Sequence, residues 1–174
     1  KAKGRVPMLH LPMEPIDRSA MSEGAATIRT DLSAAEKLSL TRRALNSLPG
    51  VMGVNNHQGS KATADKDTMR VVLQELRRQK LFFVDSRTNS ASVARNMAQQ
   101  LGVSTARNDI FLDNSSDVQA IRQQIYKAFA MAEKNGSVIA ICHARPNTAK
   151  CWEMYAAEFK RTGITFVSVT ELLY

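Results

Sequence analysis

The sequence predicts an α/β fold built on a parallel sheet. Six short apolar runs are rich in Val, Ile and Phe, and they lack the alternation of polar and apolar residues, as is typical of strands covered on both faces. Helical patterns separate these runs, and regular alternation of strands and helices is typical of parallel sheets. The predicted strands are Val6–His10, Val51–Asn55, Leu81–Asp85, Asp109–Leu112, Val138–His143 and Ile164–Val169.

Helix boundaries are indicated by capping residues and by proline or glycine. Ser33-Ala34-Ala35-Glu36 is a capping box, and its helix should run to about Leu48, before Pro49-Gly50. Ser116-Asp117-Val118-Gln119 is a second capping box, whose helix should end at Asn135-Gly136. The other predicted helices are Met69–Lys80 opened by Thr63, Val93–Leu101 opened by Ser90, and a last long helix opened at Asn147 or Thr148 and ended by Gly163. Residues 14–32 are polar, contain glycine and are predicted to form a long loop.

Composition and charge exclude several classes of protein. The 174 residues are enough for one domain with a core, and no apolar run is long enough to span a membrane. No secretion signal is visible. The net charge is +8, but Lys and Arg are spread along predicted helices and no aromatic-rich motif accompanies them, so we expect no nucleic-acid partner. Cys142 lies in an apolar run, where we predict a small buried side chain, and no disulfide framework is indicated.

Polar side chains follow the predicted strands at the points where the strands end. All three histidines of the chain, His10, His57 and His143, occupy such positions. Because parallel α/β folds bind ligands at the carboxyl ends of their strands, we expect these side chains to share one rim. The other polar residues at strand ends are Asn55, Asn56, Asp85, Ser86, Arg87, Asp113, Asn114 and those from Ser168 to Thr170. Structural roles are the alternative for three of them, since Asp85 and Asp113 could cap turns or helices and Asn56 could bind the backbone of its turn.

The residue types at this rim suit a metal-dependent hydrolase. Two histidines and a carboxylate around an open position are typical ligands of a divalent metal such as zinc, which activates water. A further histidine suits general acid catalysis, because its pKa lies near neutrality. No phosphate-binding loop or nucleophile elbow is present. The residues alone therefore predict a metal hydrolase without identifying its substrate.

Five motifs carry a resemblance to a known family. In order they are LHLPMEP (Leu9–Pro15), GVNNHQGS (Gly53–Ser60), LFFVDSRT (Leu81–Thr88), DIFLDN (Asp109–Asn114) and IAICHARPNT (Ile139–Thr148). Together they resemble the divergent polysaccharide deacetylase family over essentially the whole chain. The resemblance implies a distorted (β/α) barrel and metal-dependent removal of N-acetyl groups from amino sugars of cell-envelope polysaccharide. The implied partner is a peptidoglycan-like glycan, and the implied location is the cell envelope, periplasmic or extracellular.

The resemblance also implies roles for individual residues. His10 matches the first of two metal-binding histidines, Glu14 stands at the place of the second, and His57 is the other candidate ligand. His143 matches the general acid, and Asp85 resembles the carboxylate that orients it. The candidate substrate-binding residues are Asn56, Ser86, Arg87 and Asp113.

Three departures from the family pattern qualify these roles. The Asp pair that supplies the base and a metal ligand is absent, as are the two strands expected to precede Val6–His10. We therefore expect residues 1–174 to be a single deacetylase-like domain truncated at its N terminus. Ala144-Arg145 replaces an expected His-Pro, and Cys142 replaces an expected Gly. The alternative function is a catalytically silent module that binds envelope glycan or protein on the same fold.

Overall fold

The protein is described by a computed structural model, which covers residues 6–22 and 24–174. Its contacts define two compact units. The first extends to Arg107 and includes Leu173–Tyr174, and the second is Asn108–Leu172. The single-domain organisation of the chain remains a prediction. None of the described helices is both long and apolar enough to cross a membrane.

A four-stranded parallel sheet forms the centre of the first unit. Its strands are β1 (Met8–Met13), β2 (Gly53–Gln58), β3 (Phe82–Asp85) and β4 (Thr105–Arg107), in that spatial order. The predicted parallel α/β fold is confirmed, and the first three strands lie within a few residues of their predicted bounds. β4 was missed because it is short and only one of its three residues is apolar, so it forms no apolar run.

The helices of the first unit follow the predicted order with two shifts at their starts. The capping box at Ser33 and Glu36 is confirmed, because each side chain binds the backbone NH of the other residue. The second helix begins after Asp65, whose carboxylate accepts from the NH of Thr68, so the prediction that Thr63 opens it is wrong. The helices are α1 (Ala34–Ser47), α2 (Lys66–Arg78) and α3 (Ala94–Gln100), the last preceded by Val93 rather than Ser90 as its N-cap. The described part of residues 14–32 forms the predicted loop, with short 3-10 helices at Arg18–Ala20 and Gly24–Ala26.

One face of β1 belongs to the core and the other face does not. Leu9, Leu11 and Met13 are buried in a cluster with apolar residues of α2 and α3. Burial of each such side chain contributes about 1.5 to 3 kcal/mol relative to exposure. His10 lies between them in sequence and is exposed, because successive side chains of a strand point to opposite faces. The core face therefore fixes the direction in which His10 points.

The second unit contains a two-stranded parallel sheet, β5 (Ile110–Phe111) and β6 (Ala140–Ile141). Its helices are α4 (Val118–Asn135), α5 (Pro146–Met154) and α6 (Ala156–Lys160). Three predicted helix ends are corrected. Asp117, not Ser116, is the N-cap of α4, Arg145 precedes α5, and the predicted last long helix is two helices separated at Tyr155. The predicted end of α4 at Gly136 is confirmed, since this glycine adopts a φ of +82°.

The prediction of a strand at Ile164–Val169 is wrong. This segment forms no strand, and its Phe166 side chain packs edge-on against Phe129 and Trp152, with ring centroids 6.2 and 5.7 Å away. The predicted single sheet of six strands is corrected to sheets of four and two strands. The closed (β/α) barrel remains a prediction.

Cys142 is exposed, so the prediction that it is a buried filler is also wrong. Its neighbours Ala140 and His143 are exposed as well, which shows that this apolar run is not covered on both faces within the described residues. Cys151 is buried, and both thiols are free.

Candidate functional site

His10 and His57 meet on one face of the sheet in the first unit. In the register of β1 and β2, His10 is opposite Asn55 and Pro12 is opposite His57, so both histidines lie on the same face. His57 Nδ1 lies 2.9 Å from His10 Nε2, and the rings meet edge to face at 66°. Two imidazole nitrogens that face each other either share one proton or direct two lone pairs at a cation.

This histidine pair fits a divalent metal. Zinc–nitrogen bonds of about 2.0 to 2.1 Å in a tetrahedral site place two ligand nitrogens about 3.3 Å apart. A small rotation of either ring would open the observed separation of 2.9 Å to that value. Among the residues that the structure describes, no group of three His, Cys, Asp or Glu side chains could hold a metal ion. Water or a further ligand would have to complete the site.

The second ring nitrogen of His57 contacts a residue that sequence reasoning missed. His57 Nε2 lies 3.0 Å from the hydroxyl oxygen of Ser22 in the loop after β1. Ser22 belongs to no motif, and its position depends on how the loop folds back over β2. No signal in the sequence indicated this contact.

Glu14, predicted as a metal ligand, is a buried structural carboxylate. Its side chain is fully buried, Oε1 accepts from Arg18 at 2.5 Å and Lys61 at 3.0 Å, and Oε2 accepts from the NH and hydroxyl of Thr30 at 2.7 and 2.8 Å. Burial raises the pKa of Glu14, but the hydrogen bonds from Thr30, Lys61 and Arg18 outweigh it and lower this pKa to about 2. Both oxygens are engaged, so the geometry does not fit the predicted role as a ligand.

Asn56 and Ser86, predicted to bind substrate, connect the ends of two strands. Asn56 is buried, its side-chain oxygen accepts from the Ser86 NH, and its amide donates to the carbonyl of Gln58. The Ser86 hydroxyl is also buried, and it donates to the carbonyl oxygen of Asn56. The backbone role that was the alternative for Asn56 is observed, and substrate binding by Asn56 and Ser86 remains a prediction.

Asp85 accepts hydrogen bonds from residues that follow it closely in sequence. Its two oxygens accept from the NH of Arg87 at 2.8 Å and from the hydroxyl of Ser92 at 2.7 Å, which ties the end of β3 to the approach to α3. Arg87 is exposed, with a positive φ of 53°, and substrate binding by this residue remains a prediction.

In the second unit, the carboxylate that orients His143 is Asp113. Asp113 Oδ1 lies 2.9 Å from His143 Nδ1, and Oδ2 accepts from the His143 NH and the Thr148 hydroxyl, each at 2.8 Å. The role implied for Asp85 is therefore corrected, because Asp113 makes this orienting contact. Substrate binding by Asp113 remains a prediction. Asp113 is fully buried, whereas the His143 side chain is 43% exposed.

The charge of Asp113 is maintained by its donors. Burial raises the pKa of Asp113, but hydrogen bonds from His143 and Thr148 lower it below its ordinary value overall. An ionised carboxylate on Nδ1 makes that nitrogen the donor and leaves Nε2 of His143 to exchange protons. This carboxylate–imidazole pair is suited to general acid–base chemistry.

A model of the divergent polysaccharide deacetylase family matches residues 1–173. The chain belongs to this family. Two curated relatives are similar to it, and both are described as uncharacterized. A Haemophilus influenzae protein is 38% identical over 148 residues, which are 85% of this chain and 52% of the relative. YibQ of Escherichia coli is 35% identical over 170 residues, which are 98% of this chain and 52% of YibQ.

The chain thus spans about half the length of the curated relatives it matches. A crystal structure of an uncharacterized protein from Agrobacterium tumefaciens C58 superposes with a TM-score of 0.88 at 20% identity, covering 96% of this chain and 67% of that chain. At this identity the likeness supports the fold of the divergent deacetylase domain and carries no information on its activity.

Proposed function

We propose that this divergent deacetylase domain contributes to metal-dependent removal of N-acetyl groups from amino sugars of a cell-envelope polysaccharide. The observation that carries the proposal is the pair of imidazole nitrogens of His10 and His57, 2.9 Å apart on neighbouring parallel strands. Histidines in this arrangement are typical zinc ligands, and zinc is the metal we propose.

His10 Nε2 and His57 Nδ1 are the atoms proposed to hold the metal. A neutral imidazole already carries the lone pair that binds divalent zinc. The exposure of His10 leaves room for water as a further ligand. When bound, the metal would polarise the acetyl carbonyl and lower the pKa of an attacking water.

His143 is proposed as the general acid that protonates the leaving amine. Its Nδ1–H donates to the Asp113 carboxylate, which orients the ring and directs Nε2 outward. The partial exposure of the ring allows a proton to pass between Nε2 and a substrate nitrogen. Thr148 supports this role indirectly, because it donates to the other oxygen of Asp113 and fixes the carboxylate plane.

A peptidoglycan-like glycan in the periplasm or outside the cell is the proposed substrate and location. Family membership supports the polysaccharide class. The net charge of +8 is compatible with this environment, because anionic envelope polymers attract basic proteins.

The test compares variants of the full-length protein for bound metal and for acetate released from N-acetylglucosamine oligomers. His10→Ala and His57→Ala should lose the metal. His143→Ala should keep it while losing about 10²- to 10⁴-fold in rate, the usual contribution of general acid catalysis. Lys150→Ala, an exposed position on α5, is the matched control and should keep both metal and rate.

Two results would contradict the proposal. Wild-type protein that binds no divalent metal and releases no acetate from any envelope glycan would exclude the enzymatic function and leave a binding module. Metal retained by both His10→Ala and His57→Ala, with activity present, would place the metal elsewhere in the protein.

A further inference from the structure

Ser22 contacts the outer nitrogen, Nε2, of the His57 ring. Its hydroxyl oxygen lies 3.0 Å from Nε2, while Nδ1 on the other side of the ring faces His10 at 2.9 Å. Each ring nitrogen of His57 thus has a hydrogen-bonding contact, Nε2 with Ser22 and Nδ1 with His10. A neutral imidazole carries one proton on one of its two nitrogens. Whether Ser22 donates a hydrogen bond to Nε2 or accepts one from it therefore determines whether Nδ1 is protonated.

The loop that carries Ser22 is attached to the end of β2 by other contacts. The side-chain amide of Gln58 donates to the carbonyl of Ala20 at 2.6 Å, and the NH of Ile16 donates to the hydroxyl of Ser60 at 2.9 Å. These contacts come from residues just after His57 in sequence, so Ser22 is held in place by the same segment that carries the histidine. Its approach to the ring is therefore part of the fold of the loop.

Two proton arrangements satisfy both contacts when no metal is bound. In the first, His57 Nε2–H donates to Ser22, and Nδ1 accepts from His10 Nε2–H. In the second, the Ser22 hydroxyl donates to His57 Nε2, and Nδ1–H donates to His10. Only the first arrangement leaves a lone pair on His57 Nδ1. In it, His10 must also shift its own proton from Nε2 to Nδ1 before both facing nitrogens can bind a metal.

We propose that Ser22 is a positioning residue for the metal site, accepting the Nε2–H of His57 and so selecting the tautomer that presents Nδ1 to a divalent cation. This inference rests on the proposed metal-binding function. Hydrogen-bond partners that orient ligand histidines typically change metal affinity by about 10- to 100-fold when they are removed. Ser22 itself does not touch the metal or the substrate.

The experiment uses full-length wild-type protein, Ser22→Ala, Ser22→Thr and Ser19→Ala. Ser19 is a matched control, because it lies in the same loop and its hydroxyl donates to Asp17 at 2.7 Å. Zinc affinity is measured by competition with a chelating dye, and the His57 tautomer is measured from ring ¹⁵N chemical shifts in metal-free protein. We expect Ser22→Ala to bind zinc about 10- to 100-fold more weakly, with a smaller Nε2–H population, while Ser22→Thr and Ser19→Ala stay within about threefold of wild type.

The outcomes separate this inference from the metal-binding proposal. Zinc affinity and tautomer unchanged in Ser22→Ala would overturn the role of Ser22. Equal losses of zinc affinity in Ser22→Ala, Ser22→Thr and Ser19→Ala, with an unaltered tautomer, would show a general effect on the loop and would also overturn it. If wild type binds no zinc, the proposed function fails. The tautomer then tests only whether Ser22 selects the Nε2–H form of His57. Loss of Nε2–H in Ser22→Ala supports that selection, and Nδ1–H in wild type contradicts it.

Discussion

Replacement of Glu14 by glutamine tests whether this residue is a structural anchor. Four donors surround its carboxylate, which is fully buried, and its pKa is lowered from the ordinary value of 4.5 to about 2. A difference of this size corresponds to about 3 kcal/mol of stability. Arg18 and Lys61 are 48% and 41% exposed, so water screens part of their attraction. We expect Glu14→Gln to lower the free energy of unfolding by about 2 to 3 kcal/mol at pH 7.

The effect should depend on pH in a defined direction. Because the pKa of Glu14 is lower in the folded state, its stabilisation is complete above the ordinary value of 4.5 and is lost as the pH falls toward about 2. Wild type and Glu14→Gln should therefore differ most near neutrality and converge near pH 2, where the wild-type carboxyl group becomes protonated.

Urea unfolding followed by circular dichroism at pH 7, 4 and 2.5 measures this difference. Glu133→Gln, at an exposed position on α4, is the control and should change stability by less than about 0.5 kcal/mol. A loss below about 0.5 kcal/mol for Glu14→Gln at pH 7, or a loss equal at all three pH values, would refute the reasoning. Metal content should not change in Glu14→Gln, and one bound metal lost per chain would restore Glu14 as a ligand.

Three further outcomes follow from contacts in the two units. Gly53→Ala should destabilise the protein by about 1 to 3 kcal/mol in urea unfolding, because a Cβ there would lie 2.2 Å from the Phe82 ring. Unchanged stability would mean that this ring can move away from the added methyl group. Asp113→Asn should lower deacetylation by about 10²- to 10⁴-fold with metal retained, because it removes the charge that orients His143; full activity would exclude that role. Cys142 should be the first thiol alkylated under native conditions, as peptide mapping would show, and faster labelling of the buried thiol would contradict the described exposure.

The sequence predicted the fold class because periodicity and capping are local signals. The capping box at Ser33 and the left-handed end of α4 at Gly136 depend on residues a few positions apart, and both are observed. The segment Ile164–Val169 shows the limit of such signals. Its composition is that of a strand, but a strand also needs a hydrogen-bonded neighbour, and among the described residues this segment pairs with no strand.

The histidine pair was predictable from sequence, whereas the partners of the carboxylates were not. His10 and His57 lie in neighbouring strands of a parallel sheet, so their approach follows from topology alone. Asp85 ends β3 and Asp113 follows β5, and choosing which of them meets His143 requires knowing which strands pair. The sequence holds no local signal for that choice.

Strand alternation explains which polar strand ends line the candidate metal site. Neighbouring residues of a strand point to opposite faces, so Asn56 cannot share a face with His57 while both belong to β2. In the register of β2 and β3, Asn55 is opposite Val84, which places Asp85 opposite Asn56 and on the face away from His57. The two buried residues Asn56 and Asp85 accordingly bind backbone and loop groups at the ends of their strands. A cluster of polar residues at a strand end therefore contains two alternating sets, one directed at the site and one that fixes the loops around it.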